Sequence, residues 1–380
     1  MILSTIAVLF TFGIVIFLHE GGHFLVCRWL GVRVERFAFG FGPELLGFTS
    51  GDTRFSICAI PLGGFVKPAG EVIEDVTGAP DEYFSHSPWH RLMIVAAGPA
   101  MNYILAFLLF FTVVFLRGMP EPSTAAVIGE LAPGFPAAVA GLTLGDEIVE
   151  LDGIAIRRWS DMASFIHANP GKTVSMTYLH DGERGMVDIV PRLDPASGRG
   201  LIGIMPEMVY RSVGLLGSAK EGAHQCWYWT AYTVKTLKEK IVRRERPDLA
   251  GPVGIVQMVS RAAHSGLQDF IFLVGLISVA IGFFNLLPIP LLDGGHATLY
   301  LWEGISGRKL TVTLIGYANS VGLALILSLL AFATYNDVLR IHTQRKATSA
   351  AAAEQAAAEE EAAPEKTPEE AFPPKAAPVQ

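Results

Sequence analysis

Two histidines and a glutamate are spaced for shared chemistry near the start of the sequence, in the string His19-Glu20-Gly21-Gly22-His23. Imidazoles at positions i and i+4 lie on one face of a helix, so both can bind the same metal ion. The glutamate between them can act on a water molecule held at that ion. The alternative is a structural pair of hydrogen-bonded histidines with a neighbouring carboxylate. The flanking residues are apolar, and ionisable groups in a membrane-compatible segment are energetically costly, which favours a functional site.

A carboxylate far along the chain is the candidate for a third metal ligand. Asp293 belongs to the string NLLPIPLLDGGH (Asn285 to His296), in which two prolines and a glycine pair interrupt a helix. Two histidines and a carboxylate that leave one position open are typical of catalytic rather than structural zinc. The related pattern HExxHxxGxxH is not followed, because Val26 and Trp29 occupy its glycine and third histidine positions. We expect His296 to have a structural or interfacial role.

The composition is that of a membrane protein with several spans. Hydrophobic residues make up 51% of the chain, charged residues 17%, and the mean hydropathy is +0.40. Apolar segments that reach the roughly 20 residues needed to cross a bilayer are 1–30, 92–116, 270–292 and 310–335. Three cysteines are too few for a disulfide framework or a cysteine zinc site. No basic patch with interleaved aromatic residues occurs in the sequence, so no nucleic-acid partner is expected.

Residues 31–70 contain short strand signals separated by glycine, which predicts a membrane-associated β-hairpin region. One interpretation is a small sheet at the membrane interface. The other is a sheet that dips toward the histidines and offers an unpaired edge to an extended peptide. Gly63 and Gly64 would then let a bound backbone approach closely. A polar loop, 71–91, leads into the second span, where Asn102 needs a hydrogen-bond partner at a helix interface or at a functional site.

Residues 118–206 combine frequent turn signals with short β-type runs and two helical stretches, which predicts a small α+β domain. The string APGFPAAVAGLTLGDEIVELDG resembles a circularly permuted PDZ domain of the protease-associated type. The ligand groove of such a domain would lie at Gly200, Leu201, Ile202 and Gly203. The alternative is an ordinary terminal strand at these four residues.

Two further segments flank the last spans. Residues 212–265 have helical periodicity with an aromatic cluster, which predicts amphipathic juxtamembrane helices at the membrane interface. Packing of this segment against the PDZ domain is the alternative. Residues 346–380 are rich in Ala, Glu and Pro and have no apolar face to bury, so we expect them to be disordered or weakly helical.

Three motifs in this order resemble the site-2 protease family of intramembrane metalloproteases. They are HEGGH in the first span, GPAMN (Gly98 to Asn102) in the second and NLLPIPLLDGG in the third. The single PDZ insert between the second and third spans is similar to the bacterial RseP group, the regulators of sigma-E protease. FGFGP (Phe39 to Pro43) and DLAGPVGI (Asp248 to Ile255) also resemble that group. A better-known branch of the group has two tandem PDZ domains, a difference that bears on substrate gating more than on catalysis.

The resemblance implies a zinc endopeptidase that cuts within transmembrane segments. Zn²⁺ would be held by His19, His23 and Asp293, with Glu20 as the catalytic base. The resemblance also implies that Asn285 holds the substrate backbone or steadies the tetrahedral intermediate, with a packing role as the alternative. Asn102, Gly63 and Gly64 are further candidate substrate-binding residues.

The resemblance also implies partners and a location. Substrates would be single-span membrane proteins after a first cleavage, including anti-sigma factors of a stress response and remnant signal peptides. The protein would sit in the lipid of a bacterial inner membrane, with the active site toward the cytoplasm and the PDZ domain in the periplasm. The balance of Lys and Arg at the span ends does not decide this orientation. The PDZ domain would either recruit peptide C-termini or act as a size filter. The alternative functions are a non-proteolytic PDZ-containing membrane scaffold, which would not need Glu20, and a metal transporter.

Overall fold

The computed structural model describes residues 2–72, 74, 76–243 and 251–362. Its helices are α1 (Ile2–Leu30), α2 (Pro88–Arg117), α3 (Pro136–Val139), α4 (Trp159–Ala168), α5 (Gly214–Arg243), α6 (Pro252–Ser265), α7 (Leu267–Asn285), α8 (Asp293–Ser306) and α9 (Val312–Ala362). Its strands are β1 (Val34–Ser50), β2 (Thr53–Pro68), β3 (Met119–Pro122), β4 (Ile128–Leu131), β5 (Glu147–Leu151), β6 (Ile154–Ala155), β7 (Val174–His180), β8 (Glu183–Ile189), β9 (Arg192–Leu193), β10 (Gly200–Leu201), β11 (Ile204–Pro206) and β12 (Met208–Arg211).

Four helices within the described residues are long and apolar enough to cross a membrane. They are Ile2–Leu30, Pro88–Arg117, Leu267–Asn285 and the Val312–Arg340 part of α9. The predicted class, a polytopic α-helical membrane protein with an inserted α+β domain, is therefore confirmed.

Two predicted boundaries are wrong. The third span ends at Asn285 rather than at residue 292, because Pro288 and Pro290 cannot continue the hydrogen-bond ladder of a helix. The fourth span continues as helix to Ala362 rather than ending at residue 335, and this helix includes residues 346–362, which were expected to be disordered or weakly helical. Ala and Glu are strong helix formers and no proline follows until Pro364, so local propensity accounts for the extension. Residues 363–380 of the predicted tail lie outside the described residues.

Helix α2 is the centre of the bundle and packs against α1, α5, α7 and α8. Glycines face it at the closest approaches. A Cβ at Gly22 of α1 would overlap the Ala97 carbonyl oxygen, and one at Gly275 of α7 would lie 2.8 Å from the Phe110 ring. Small residues at such interfaces let helices approach closely where lipid provides no hydrophobic driving force.

The predicted juxtamembrane segment forms α5 and α6, and α5 packs on the bundle. The Tyr103 hydroxyl of α2 lies 2.9 Å from the Thr230 hydroxyl of α5. Helix α6 is tied to α9, because the buried Asp337 carboxylate accepts hydrogen bonds from the Gly251 and Gly254 N–H groups at 3.1 and 2.9 Å. Of the motif DLAGPVGI, residues 248–250 lie outside the described residues.

Strands β1 and β2 form one irregular antiparallel sheet with several register shifts. Residues 36–39 pair with residues 64–67 on one side and with residues 54–57 on the other. The segment 64–68 is therefore an edge of the described sheet. Phe37 anchors the sheet to α1 through edge-on ring contacts with Phe17 and Phe24, both at 5.5 Å between centroids.

The PDZ domain is inserted between α2 and α5. It contains a four-stranded sheet in the order β6-β5-β7-β8, the pairs β4–β11 and β9–β10, and a buried apolar core. Strand β3, which enters the domain, pairs with β12, which leaves it, and Met119 lies opposite Arg211. The paired structure thus extends to Arg211, five residues beyond the predicted boundary at 206.

Candidate active site

His19, His23 and Asp293 converge, although Asp293 is distant from both histidines in sequence. One ligand atom from each lies within 4.8 Å of the other two. The Nε2 atoms of the two histidines are 3.4 Å apart. His19 Nε2 is 3.1 Å from Asp293 Oδ2, and His23 Nε2 is 3.5 Å from Asp293 Oδ1. The helical spacing of the HEGGH motif therefore does place both imidazoles on one face of α1.

The segment between α7 and α8 carries Asp293 to the histidines. After the helix ends at Asn285, the chain passes through Leu291 with a φ of 77°, and Asp293 begins α8. Gly294 and Gly295 let this segment fold back on itself. A Cβ at Gly294 would overlap the Leu287 carbonyl oxygen, and one at Gly295 would overlap that of Ile289. The glycine pair that follows the aspartate is thus required by backbone packing.

One of the two histidines has its tautomer fixed by the main chain. The Ile94 carbonyl oxygen of α2 lies 2.8 Å from His23 Nδ1. A carbonyl can only accept a hydrogen bond, so the proton sits on Nδ1 and the lone pair of Nε2 faces Asp293. This is the arrangement that a metal-binding histidine requires.

The donor set fits zinc. Two imidazole nitrogens and a carboxylate oxygen converge, and they leave a further position open for water. Among the described residues, the buried Asp293 Oδ2 atom has no hydrogen-bond partner, although His19 Nε2 is 3.1 Å away. Electron-pair donors brought this close repel one another unless a cation or a proton lies between them. A divalent cation satisfies all three donors at once.

Glu20 and Asn285 line the cavity of about 710 Å³ that contains this cluster. The Glu20 carboxyl lies within hydrogen-bonding range of the Val66 backbone. Val66 belongs to the sheet edge, and it lines the same cavity with Phe65 and Pro68. The cavity thus joins the metal cluster, the central glutamate of the motif and the edge of the described sheet.

The other predicted substrate-binding residues occupy different places. Asn102 is fully buried, and its side-chain nitrogen lies 3.2 Å from His19 Nδ1. The prediction that Asn102 binds substrate is therefore wrong, because the residue lies behind the metal cluster with no surface on the cavity. A Cβ at Gly64 would be 3.4 Å from Glu20 Cγ, whereas one at Gly63 would overlap the Phe41 ring. Gly64 is the nearer of the two glycines to the reacting groups.

Some residues at the cavity were missed from the sequence. Glu71 lies at the rim, and although it retains exposed surface, desolvation of its carboxyl by the cavity lining raises its pKa to about 7. Tyr300 also lines the cavity, and its ring stacks at 6.2 Å on that of His296, the residue expected to have a structural or interfacial role, which lines the cavity as well. Below them, Arg91 of α2 pairs with Glu303 of α8 at 3.0 Å. The sequence shows Arg91 as a charge beside the apolar run 92–116, but nothing in the sequence identifies Glu303 as its partner.

A second cavity, of about 570 Å³, lies in the PDZ domain. Gly200, Leu201, Ile202 and Gly203 line one side, and residues of α4 line the other. Gly203 has a φ of 79° and lies against Phe135. The predicted groove residues therefore border a concave, mainly apolar surface.

Comparison with known proteins gives one family over most of the chain. A family model described as Peptidase family M50 matches residues 7–329. A protein of Clostridium acetobutylicum with a zinc metalloprotease name is 33% identical over 337 residues, which is 88% of this chain and 97% of that protein. Zinc metalloprotease RasP of Geobacillus kaustophilus is 29% identical over 415 residues, which is 88% of this chain and 97% of that protein.

Among solved structures, the PDZ domain of the SdrC-like protein from Listeria monocytogenes is 28% identical. The matched region makes up 23% of this chain and 90% of the Listeria structure, and the TM-score is 0.20. A scaffold or a metal transporter does not account for the zinc metalloprotease relatives, so both alternative functions are set aside. Because the family match runs through all three motif-bearing segments and the domain inserted between them, we conclude that this chain belongs to peptidase family M50 and is a site-2-type zinc intramembrane metalloprotease.

Proposed function

We propose that the enzyme hydrolyses peptide bonds within the transmembrane segments of single-span membrane proteins that a first protease has already shortened. The main support for this proposal is the position of the HEGGH motif within α1, a helix long enough to span the bilayer. Reacting groups on such a helix would lie within the bilayer, where the span of a membrane-protein substrate would meet them. Anti-sigma factors of a stress response and remnant signal peptides are the substrate classes that fit this description.

His19, His23 and Asp293 would hold the zinc ion. When bound, zinc supplies a Lewis acid that polarises the scissile carbonyl and makes water more acidic. The protein's contribution is to fix the three donors in a largely buried site, with Gly98 and Gly294 allowing the close packing around them. Burial strengthens each electrostatic interaction because little solvent screens it.

Glu20 would take a proton from the attacking water and later deliver it to the leaving amine. Its place on the cavity wall beside the histidines supports this role. The Val66 backbone near the Glu20 carboxyl would align the glutamate with a bound substrate strand. Asn285, on the same wall, would hold the substrate backbone or donate a hydrogen bond to the developing oxyanion.

A substrate helix hides its amide groups in its own hydrogen bonds, so it must unwind before it is cut. The sheet edge at residues 64–68 would then hold the unwound segment through main-chain hydrogen bonds. Gly64 would allow this backbone to approach Glu20, since a Cβ there would contact the Glu20 side chain. Gly63, which packs on Phe41, would shape the same edge.

The orientation we propose is a multi-pass protein in the lipid of a bacterial inner membrane. The active site would face the cytoplasm and the PDZ domain the periplasm. The groove at Gly200–Gly203 would receive a peptide C-terminus or restrict access to bulky substrates. Deleting residues 123–207 while keeping the β3–β12 ribbon separates these roles. A size filter predicts that full-length substrates become cleavable, whereas a recruiting domain predicts that cleavage is lost.

The central test is Glu20→Gln in purified, zinc-loaded enzyme with a single-span substrate in lipid vesicles. We expect zinc content to be retained and product formation to disappear. Glu239→Gln, on the surface of α5, is the matched control and should cleave normally. Normal cleavage by Glu20→Gln would refute the proposed role of this residue. Comparing membrane proteomes of cells that carry either form would then identify the substrates that accumulate.

A further inference from the structure

The side chain of Asn102 is held between the metal cluster and the third span. Its backbone carbonyl accepts a hydrogen bond of 2.8 Å from the Ser278 hydroxyl of α7, and both residues are fully buried. A Cβ at Gly282 would lie only 3.2 Å from Asn102 Cβ. The amide is therefore buried between α7 and His19, and turning it over about its own axis exchanges its oxygen and nitrogen without moving the residue.

The nitrogen and the oxygen of the Asn102 amide would each require a different tautomer of His19. With the nitrogen of Asn102 toward His19 Nδ1, at 3.2 Å, the imidazole must accept and carries its proton on Nε2. That proton would occupy the lone pair that a metal needs. In the same arrangement, Asn102 Oδ1 is buried without a hydrogen-bond partner among the described residues. A buried acceptor without a partner is unfavourable, and the proton on Nε2 makes the arrangement incompatible with a metal bound at His19.

We propose that Asn102 is a positioning residue for the zinc site, whose carbonyl oxygen accepts the Nδ1–H of His19 in the metal-loaded enzyme. Turning the amide over by half a rotation gives Oδ1 its partner and moves the proton of His19 to Nδ1. The lone pair of His19 Nε2 then points at Asp293 and His23. The inference rests on the proposed role of His19 as a zinc ligand.

The consequence is that one helix orients both histidines. The Ile94 carbonyl of α2 holds His23, and Asn102, two turns along α2, holds His19. Both partners come from outside the helix that carries the ligands. Loss of such a partner lowers metal affinity or activity by about 10- to 100-fold in other metal sites.

The test compares three variants of the full-length enzyme in detergent. Zinc affinity is measured by competition with a chromogenic chelator, and folding by circular dichroism. Asn102→Leu removes the acceptor at similar size and should lower zinc affinity by about 10- to 100-fold. Asn102→Asp keeps an acceptor and should bind zinc nearly as tightly as the unaltered enzyme. Thr112→Val, at an exposed residue of the same helix whose hydroxyl donates to the Leu108 carbonyl, is the control and should not change zinc affinity.

Unaltered zinc affinity in folded Asn102→Leu would overturn the inference, and so would an equal loss in Asn102→Asp. Nitrogen NMR of ¹⁵N-histidine in the zinc-loaded, unaltered enzyme gives a second measurement that needs no variant. A protonated His19 Nδ1 is expected, and an unprotonated one contradicts the inference. The variant His19→Ala distinguishes a failure of the proposed ligand role of His19 from a failure of the positioning role of Asn102. If it loses zinc while Asn102→Leu does not, the ligand role stands and the inference fails. If it keeps zinc fully, the ligand role fails and the inference falls with it.

Discussion

Gly98 of α2 lies directly against the imidazole rings of His23 and His19. A Cβ at this position would overlap His23 Nε2 and would lie 2.9 Å from His19 Cε1. The second span is therefore a wall of the metal cluster as well as a neighbour of the helix that carries it. The glycine of the GPAMN motif exists because two rings occupy the space that a side chain would need.

Gly98→Ala should displace the histidine rings and lower zinc affinity by about tenfold or more, comparable to losing a residue that orients a ligand. The helix itself should be no weaker, because Ala favours helix over Gly. Zinc content and circular dichroism of the purified variant check both statements. Leu108→Ala, which truncates an exposed residue of the same helix, is the control and should keep its zinc. Full zinc occupancy in Gly98→Ala would contradict the close packing described above.

The two glycines inside HEGGH should differ in their tolerance of substitution. A Cβ at Gly22 would overlap the Ala97 carbonyl oxygen and lie 3.1 Å from Met101 Cβ, whereas one at Gly21 meets no described atom within 4 Å. Gly22→Ala should thus cost about 1–3 kcal/mol of stability through overpacking. Gly21→Ala should be neutral or stabilising by up to about 1 kcal/mol. Thermal unfolding in detergent checks this, and equal effects at both positions would be evidence against it.

The buried pair Arg91–Glu303 should be essential as a pair. The two side chains are 4% and 10% exposed, and the Arg91 guanidinium lies 4.9 Å from the Phe84 ring and 4.8 Å from the Tyr300 ring. Arg91→Met alone leaves a buried carboxylate unpaired and should cost about 3–5 kcal/mol. The double variant Arg91→Met/Glu303→Leu should recover much of this loss, because no charge then remains buried.

Chemical unfolding of the single and double variants measures the difference. Arg33→Met is the matched control, since Arg33 pairs with Asp81 at 2.8 Å but both side chains are 38% exposed. The expected cost of that change is about 0–1 kcal/mol. A double variant as unstable as Arg91→Met would mean that packing around the guanidinium, and not the unpaired charge, carries the effect.

The PDZ domain should lose local stability as pH rises. The His180 imidazole hydrogen-bonds the buried Asp146 carboxylate at 2.6 Å, and this contact raises the pKa of His180 above its ordinary value of 6.5. The stabilisation from this contact is fully present below pH 6.5, the pKa of histidine in the unfolded chain. It is lost as the pH rises through the higher pKa that His180 has in the folded domain. Hydrogen exchange of the Thr143–Glu147 turn, corrected for intrinsic rates, should therefore lose protection over that range.

His180→Gln is the control for this pH dependence. Glutamine can still donate a hydrogen bond to Asp146 but does not titrate. Protection of the turn should then be independent of pH between about 6 and 9, the range in which the His180 imidazole of the unaltered enzyme loses its charge. A loss of protection that persists in His180→Gln must come from another group.

Substrate unwinding gives a prediction on the substrate side. Pro or Gly placed near the scissile bond lowers helix stability by about 1–3 kcal/mol and should speed cleavage by purified enzyme. Rates in lipid vesicles, with an Ala substitution as the matched control, measure the effect. Cleavage rates that are the same for Pro, Gly and Ala substrates would exclude unwinding as a requirement.

Local patterns in the sequence determined the spans, the histidine pair and the break before Asp293. Each depends on residues close in the chain: apolar runs of sufficient length, an i, i+4 repeat, and two prolines followed by two glycines. Asp293 could be proposed as the third ligand because an acid beside a broken span has few other uses. The placement of a groove at residues 200–203 stays a prediction from the PDZ resemblance, and the structure shows only that these residues line a cavity.

Contacts across helices were decided only by the tertiary structure. Asn102 was expected at the substrate, and it instead lies beside His19, because helix rotation and packing choose among the faces that a sequence leaves open. Arg91 and Glu303 are 212 residues apart, and no local pattern links them. The edge position of residues 64–68 depends on the register of β1 against β2, which several bulges shift. Such pairings are fixed by the sum of many weak contacts in the folded bundle, which is why the sequence supplied the reactive groups and the fold supplied their partners.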